Sequence, residues 1–496
     1  MKKKCIIFSI VTLVLLVSLV TSFNYFKTTN NYVEDKVNNQ TKITKGISMN
    51  IEQTAGAGDY KTVTQSSWPT EGYKFNTELS RCENGSELSW DDTKKAVIVS
   101  GNLSDKCYVY FDLARFDETC DTSTLACHIA KQYIGTQGDN GIYYHNSTLA
   151  NGAGDNSYRY AGGDYVLTDA GKAIGATKVI GYSLTTDLIH FVCDGFANNV
   201  GEICDPSQTY FYLIKGDDTT QYQTYNEVLN KAVEKGYLTK DNVKNFVCFG
   251  SDATTCPTEN LYRIIGVFNN QVKLIKWDYA KSSLLGTDGD YSDEYTYVYF
   301  SGEQGEIPSS NSVYSWNNAG TNTWSESNLN KTNLNTNFIK NIGTTWAEKI
   351  ATTTWKVGGG SSANIREAVP ATAYQYEVGS SASSTTYEAK IGLMYLTDYY
   401  YAASPSAWTL FGFNSDNNKN DYASAKGDNW LYGGGFDWTI SRHSDDYNHV
   451  FYVVSDGSVD YLYFNDNSGV RPVFNLLPSI TYVSGSGTMS DPIRIN

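Results

Sequence analysis

Short β-rich runs separated by turn residues dominate the pattern of this chain. Residues 96–99 and 108–111 are two such runs, and the stretch 68–116 around them predicts a small antiparallel β module. Farther along, residues 261–279 hold two β-rich runs on either side of Asn269-Asn270. A pair of this kind between two such runs predicts a β-hairpin.

Helix signals are fewer. Two capping boxes predict helices, one over residues 224–236 and one over 346–355. Residues 388–404, which contain three consecutive tyrosines at 399–401, predict another strand. At least one of the three rings must face outward if that segment is extended, because successive side chains of a strand alternate between its faces.

The end of the chain predicts a closing hairpin. With Asp456-Gly457 as a two-residue turn, Val454 lies opposite Val459 and Tyr452 lies opposite Tyr461. This register makes the hairpin apolar on both faces at its base and predicts an inner element of the domain.

Two arginines near this hairpin are assigned structural roles. Arg471 stands among Val470, Val473 and Phe474, so it is expected to pair with a buried carboxylate and hold the last strand. The alternative is that Arg471 faces a ligand. Arg442 is assigned to the framework as well.

The N-terminus indicates export. Three lysines at 2–4 precede an uncharged run, so residues 1–26 predict a signal peptide or a membrane anchor, with cleavage and retention both open. A buried core helix is the alternative for this run. Residues 27–67 are polar and predict a stalk. We therefore expect the rest of the chain to lie on the extracellular side of the cell membrane, anchored or secreted.

Eight cysteines follow Cys5, an even number that suggests disulfides in an exported chain. Proximity in sequence favours four pairs among the 105 connectivities that eight cysteines allow. They are Cys82 with Cys107, Cys120 with Cys127, Cys193 with Cys204, and Cys248 with Cys256. Structural zinc is the competing interpretation, but no Cys-x-x-Cys or His-x-x-x-His pair occurs.

Composition limits the class of protein. The 496 residues are 41% hydrophobic and 18% charged, which suits several packed domains. A net charge of -15 argues against a nucleic-acid partner, since such binding needs clustered Lys and Arg. We expect an α+β fold in which a linking region, 117–244, with a short helix and disulfide loops, precedes a large C-terminal domain, 245–496.

Several motifs of that C-terminal region occur together: CFGS at 248–251, WTISR at 438–442, SDGSV at 455–459 and GVRPVFNL at 469–476. With them the chain resembles a family of exported surface proteins of gut-type Firmicutes and Mollicutes relatives without an assigned activity. More distantly it resembles the C-type-lectin-like fold of sulfatase-modifying enzymes and phage tropism proteins. The resemblance implies a mixed, β-rich domain whose loops carry any ligand site.

Motifs for catalysis are weak. No Cys follows Cys256, which removes thiol oxidation from the C-terminal domain, and no Gly-x-Ser-x-Gly elbow occurs. A carbohydrate-active hydrolase stays open, because it needs only two carboxylates. Residues 288–295 and the oxygen-rich cluster Asp416, Asn417, Asn418, Asn420 and Asp421 make calcium conceivable, but solvated acidic turns are favoured.

Aromatic rings among Asn, Ser and Gly suggest a recognition surface. The candidate ligand-binding residues are Tyr399, Tyr400, Trp430, Tyr432, Trp438 and Tyr447. Packing of these rings in a core is the alternative. The sequence thus predicts an adhesin-like protein that binds a glycan or protein surface without catalysis and without a cofactor, and a structural cell-envelope protein is the second hypothesis.

Overall fold

A computed structural model gives the fold. It describes residues 46–53, 55–64, 68–69, 72–102, 104–163, 166–170, 211–212, 221–222, 234–236, 238–239, 243–292, 312–318, 320–415 and 420–496. The chain divides into two compact units with a boundary between Thr119 and Cys120. The predicted signal or anchor at 1–26 lies outside the described residues, and so does almost all of the predicted helix at 224–236.

The first unit is a small β structure. Its strands are β1 (Ile47–Glu52), β2 (Tyr60–Val63), β3 (Tyr73–Phe75), β4 (Arg81–Cys82), β5 (Glu87–Asp91), β6 (Ala96–Ser100) and β7 (Cys107–Leu113), followed by helix α1 (Phe116–Thr119). Five strands form one sheet, in which four follow the order β2-β1-β7-β3 and β4 also pairs with β7. The strands β5 and β6 form a separate hairpin.

Two expectations about this unit are wrong. Residues 47–63, predicted as part of a stalk, contribute β1 and β2, and β1 runs parallel to β7, so the module is not purely antiparallel. The apolar residues Ile47, Met49 and Ile51 alternate along β1, and Met49 and Ile51 pack with Val109 and Phe111 in the core. This alternation outweighs the polar character of the surrounding segment.

The second unit is mixed α/β and β-rich, with several small sheets and few helices. Its strands are β8 (Ile142–His145), β9 (Ser157–Tyr160), β10 (Val166–Leu167), β11 (Phe211–Tyr212), β12 (Gln221–Tyr222), β13 (Leu238–Thr239), β14 (Phe246–Cys248), β15 (Leu261–Phe268), β16 (Gln271–Lys276), β17 (Tyr291–Ser292), β18 (Val313–Ser315), β19 (Thr353–Lys356), β20 (Thr386–Ala389), β21 (Ile391–Gly392), β22 (Asp437–Arg442), β23 (His449–Val453), β24 (Val459–Tyr463), β25 (Asn467–Ser468), β26 (Val473–Asn475), β27 (Tyr482–Ser484) and β28 (Arg494–Ile495).

The helices that the structure describes in this unit are short. These α-helices are α2 (Leu125–Ala130), α3 (Ser282–Leu285), α4 (Ile339–Asn341), α5 (Thr344–Ala347), α6 (Ser362–Ile365), α7 (Pro370–Glu377) and α8 (Leu396–Ala402). Among the same residues, 3-10 turns occupy Asp139–Gly141, Thr258–Asn260, Pro405–Ala407 and Tyr422–Asp428, and a π-helix spans Leu329–Phe338. None of the helices in the described part of the chain is both long and apolar enough to cross a membrane.

A seven-stranded antiparallel sheet forms the centre of the second unit. Its strand order is β21-β26-β16-β15-β9-β8, and β14 also pairs with β15. The strands β8 and β9 come from the predicted linking region, so the domain boundary expected at residue 245 does not hold. The predicted hairpin at 261–279 is confirmed as β15 and β16, with Asn269 and Asn270 at φ 47° and 61°.

Two secondary-structure predictions fail where tertiary contacts override local signals. The helix predicted over 346–355 stops at Ala347, and residues 353–356 form β19, which pairs with β20. The strand predicted over 388–404 ends at Gly392, and α8 follows from Leu396. The side chain of Asp398 accepts a hydrogen bond from the Tyr395 N–H, 3.0 Å, and this cap initiates the helix.

The closing hairpin has a different register from the predicted one. Its loop has three residues, 455–457, in which the Gly457 N–H bonds to the Val454 carbonyl and Gly457 takes φ 91°. Val453 therefore pairs with Val459. The strand β23 is buried between β22 and β24, but β24 pairs with no second strand among the described residues and exposes Tyr461 and Tyr463.

Disulfides join Cys82 to Cys107, Cys120 to Cys127, and Cys248 to Cys256. They confirm three of the four predicted pairs. The fourth predicted pair, Cys193 with Cys204, lies outside the described residues.

Candidate functional site

A polar cavity of about 270 Å³ lies against the central sheet of the second unit. Its floor comes from β9, β16 and β26, and its walls come from β19, α7 and the start of α8. The exposed residues Asn269 and Thr354 stand among its lining, so the cavity reaches the surface there. Its volume suits a ligand of monosaccharide size rather than a larger cofactor.

Close backbone packing positions the floor. Gly266 of β15 lies directly opposite Arg159 of β9. A Cβ at Gly266 would come within 2.2 Å of the Tyr158 carbonyl oxygen, so only glycine fits there. This approach brings β9 beside β15 and places the Arg159 side chain at the floor of the cavity.

Two ion pairs supply the charge of the site. Arg159 Nη2 lies 2.6 Å from Asp155 Oδ2, and Arg159 Nε donates to Ser157 Oγ at 2.7 Å. Lys273 Nζ lies 2.6 Å from Asp398 Oδ2. Each buried cation thus has its own carboxylate, which compensates part of the cost of removing both charges from water.

The two pairs meet at the floor. Arg159 Nη1 lies 4.0 Å from Asp398 Oδ1, too far for a direct hydrogen bond. These two atoms make no hydrogen bond to any other residue that the structure describes. They leave a donor and an acceptor side by side, both facing the same small space.

Aromatic rings pack around the cations. The Arg159 guanidinium lies 4.7 Å and the Lys273 ammonium 5.1 Å from the centre of the Phe268 ring. Lys273 also lies 4.7 Å from the Tyr395 ring. Tyr395 is fixed in turn because its hydroxyl accepts a hydrogen bond from the Lys356 N–H at 2.8 Å. Trp355 completes this wall, and its indole N–H donates to the Ala389 carbonyl at 3.1 Å.

The start of α8 is held by a second carboxylate, that of Glu377. It accepts hydrogen bonds from the N–H groups of Leu396 and Thr397, both at 2.9 Å. Burial raises the pKa of Glu377, and hydrogen bonds from Ser441 and Thr397 oppose that rise. Asp398 therefore lines the cavity from the first turn of a helix whose start is fixed by Glu377.

Burial and charge set the protonation of the site. Burial lowers the pKa of Lys273, and Asp398 opposes that change. Burial by itself raises the pKa of Asp155, but Arg159 and a hydrogen bond from Ser157 outweigh it and bring the pKa to about 2. Asp155 is therefore ionised near neutral pH and is unsuited to donate a proton as a general acid.

Most of the predicted ligand-binding rings lie elsewhere and are inaccessible. Tyr399, Tyr400, Trp430 and Trp438 are buried, which contradicts the expected recognition surface. The three consecutive tyrosines lie on α8 rather than on a strand, and all of them are buried. Each of the four rings instead makes a structural hydrogen bond, such as that from the Tyr399 hydroxyl to the Gly457 carbonyl at 2.7 Å.

The remaining two candidates differ. Tyr432 is half-buried, with its hydroxyl bonded to the Ser455 carbonyl. Tyr447 is 70% exposed, the most accessible large aromatic side chain of the described residues. The structure therefore does not bring the six predicted residues together.

The predicted framework arginines make framework contacts. Arg471 is buried and pairs with Asp437, with Nε to Oδ2 at 2.6 Å, and it also donates to the Leu431 carbonyl at 2.7 Å. Arg442 donates to the Gly358 carbonyl at 3.0 Å. Arg471 thereby fixes the segment before β26 to the start of β22.

Of the predicted calcium segment 288–295, residues 293–295 lie outside the described part, and the acidic side chains at 288 and 290 accept internal hydrogen bonds. Asp290 accepts from the N–H groups of Asn318 and Leu329, and Asp288 accepts from Asn337. Residues 416–418 of the second predicted calcium cluster lie outside the described part. Within that part, no cluster of three or more His, Cys, Asp or Glu side chains is arranged to hold a metal ion.

Sequence reasoning missed the cavity residues, although one signal was present. Asp155, Ser157 and Arg159 alternate along one segment and so share one face when it is extended. Lys273 and Asp398 gave no comparable signal, because they lie 125 positions apart and meet only through the fold.

Comparisons of the chain with protein-family models, with curated proteins and with solved structures found no match.

Proposed function

We propose that this chain is an exported surface protein that binds the terminal sugar of a neutral glycan in the cavity and catalyses no reaction. The proposal includes a C-type-lectin-like arrangement for the second unit, whose central sheet takes β8 and β9 from before residue 245, and a tether or signal at 1–26. Three disulfides support export, since such bonds persist in oxidising compartments.

The 4.0 Å gap between Arg159 Nη1 and Asp398 Oδ1 carries the proposal. A hydroxyl group both donates and accepts, so one oxygen can bond to both atoms at about 2.8 Å each. A ligand carboxylate would be repelled by Asp398, and a ligand ammonium by Arg159. The floor therefore favours a neutral, hydroxyl-bearing ligand over either kind of ion.

The walls support the same ligand class. Aromatic side chains offer broad apolar surface with little conformational entropy to lose, which suits the C–H faces of a sugar ring. Phe268 is half-buried and offers the accessible ring of the cavity, whereas Tyr395 and Trp355, which also line it, are buried and held by hydrogen bonds. A glycan ligand thus fits the cavity better than the protein surface that the sequence left as an alternative.

The test is a glycan array with the full chain, followed by calorimetric titration of the best ligand. We expect saturable binding to at least one neutral glycan. Arg159→Lys keeps the charge but loses the forked donor, so binding should weaken about tenfold or more. Asp252→Asn, on an exposed side chain, is the matched control and should bind as the wild type does.

A second variant separates binding from folding. Thr354→Trp places a large ring at the mouth of the cavity on an exposed strand position and leaves the buried charges intact. It should fold with an unchanged unfolding temperature and lose the ligand. Wild-type affinity in this variant, or an array without any neutral glycan bound, would count against the cavity as the site.

A further inference from the structure

A second surface of the same unit carries exposed aromatic rings. Tyr461 and Tyr463, on β24, are 37% and 52% exposed. They are two positions apart on one strand, so they share a face and are separated by roughly 6.6 Å along it. Together with His449 of β23 we call them the aromatic strip.

Contacts with neighbouring side chains fix the rings of the aromatic strip in place. The His449 ring lies 5.0 Å from the Tyr461 ring and 4.3 Å from the Tyr463 ring. The Arg366 guanidinium lies 4.6 Å from the centre of the Tyr461 ring and forms an ion pair with Asp460. Rings fixed in this way lose little entropy when a ligand covers them.

The backbone of β24 is not arranged to add another strand. On its outer edge the Val459 N–H donates to the Gly412 carbonyl, and the Tyr461 N–H donates to the Asp460 carboxylate, both at 2.9 Å. The Tyr463 carbonyl accepts from the Asp466 N–H. Pairing with a peptide strand would have to break these bonds, so the side chains are the part of this edge that a partner can use.

The charge around the aromatic strip limits the classes of partner that can bind there. Asp446 Oδ2 lies 2.8 Å from His449 Nδ1, and the Asp446 and Asp460 side chains are both partly exposed. Arg366 offsets only one of the carboxylates of Glu367, Asp460 and Asp446 near the strip. The remaining negative charge, on a chain of net charge -15, repels nucleic acids, anionic glycans and acidic membranes. The same carboxylates accept hydrogen bonds from hydroxyl groups.

We propose that the aromatic strip is a second carbohydrate site, which holds the C–H faces of successive rings of a neutral polysaccharide chain. The site does not depend on the cavity, because none of its residues lines that cavity. A chain of sugars rather than a single sugar is the expected ligand, since two rings about one strand repeat apart offer two stacking positions.

The test measures retention of the full chain on insoluble cellulose, chitin and amylose, and binding of the chain to soluble heparin as the anionic comparison. We expect retention on at least one of the three neutral polymers and no binding to heparin. Tyr461→Ala with Tyr463→Ala should weaken retention at least tenfold. Tyr376→Ala removes a tyrosine that is as exposed as Tyr461 and lies outside both sites, and it should have no effect.

Other outcomes would overturn the proposal. They are failure of all three neutral polymers, equal retention of the double variant, or tighter binding of heparin. Loss of self-association in the double variant, measured by sedimentation velocity, would assign the strip to a second copy of the chain instead. Tyr463→Ala alone, with an unchanged unfolding temperature, guards against a folding defect.

Variants should separate the binding activities of the cavity and of the aromatic strip. Thr354→Trp should abolish binding of the terminal sugar in the cavity and leave polymer retention intact, whereas the double tyrosine variant should do the reverse. Loss of both activities in either single-site variant would contradict the independence of the strip.

Discussion

Arg159 and Asp398 face each other at the floor of the cavity with 4.0 Å between Nη1 and Oδ1, and each is bonded to a different partner. Asp155 holds Arg159, and Lys273 holds Asp398. Because each charge is compensated from its other side, the facing atoms stay apart without collapsing into a direct ion pair. This arrangement keeps a donor and an acceptor available to a ligand.

The Lys273–Asp398 pair should be costly to break. Asp398→Asn leaves the buried ammonium without its counter-ion, and we expect the free energy of unfolding to fall by about 3 kcal/mol. Chemical denaturation of the full chain measures this loss. The double variant Lys273→Met with Asp398→Asn removes both charges and keeps an acceptor for the Tyr395 N–H, so it should recover most of the stability. A double variant as unstable as the single one would contradict this account.

Acid should destabilise the second unit through Asp155. The pKa of this carboxyl is about 2 in the folded protein, below the ordinary value of about 3.9. A lowered folded pKa gives stability that is fully present above the unfolded pKa and is lost as the pH falls through the folded pKa. We therefore expect about 2 kcal/mol to disappear between roughly pH 5 and pH 2.

Denaturation at a series of pH values measures the contribution of Asp155. Asp155→Asn should be less stable at neutral pH, because Arg159 loses its partner, and its stability should fall less steeply with acid. Asp252→Asn should keep the wild-type slope. An unchanged slope in Asp155→Asn would show that other carboxylates dominate the acid response.

The two disulfides near the unit boundary should differ in how much they stabilise the fold. Cys82 and Cys107 close a loop of 25 residues, whereas Cys120 and Cys127 close one of 7. The chain-entropy relation gives roughly 3.5 kcal/mol for the longer loop and roughly 2.4 kcal/mol for the shorter one. Replacing each pair by alanine and comparing hydrogen exchange in β7 and in α2 tests this order. Equal losses would mean that native-state strain or residual structure outweighs loop length.

The turn between β15 and β16 can be improved. Asn270 has φ 61°, a region in which glycine carries no steric cost. Asn270→Gly should raise the free energy of unfolding by a few tenths of a kcal/mol, since Asn-Gly is the preferred pair in such turns. Asn270→Ala should lower it. Thermal unfolding of the two variants, compared with the wild type, shows whether each substitution raises or lowers the free energy of unfolding.

The sequence determined elements whose signals are local. The hairpin at Asn269-Asn270 follows from turn chemistry, and the three described disulfides follow from proximity along the chain. The need of Arg471 for a carboxylate could also be inferred, because a guanidinium among apolar residues requires a partner. The identity of this partner, Asp437, could not be inferred, since it lies 34 positions from Arg471.

Only the tertiary structure decided the rest. Tyr399 and its neighbours fit a strand by composition, but Asp398 and Glu377 cap a helix there and bury the rings. A one-residue difference in the loop before Ser458 moves the register of the last hairpin, and no local pattern distinguishes a two-residue from a three-residue turn at Asp456-Gly457. The cavity joins β9, β16 and α8, whose side chains meet through long-range packing, so its chemistry becomes visible only once these elements are assembled.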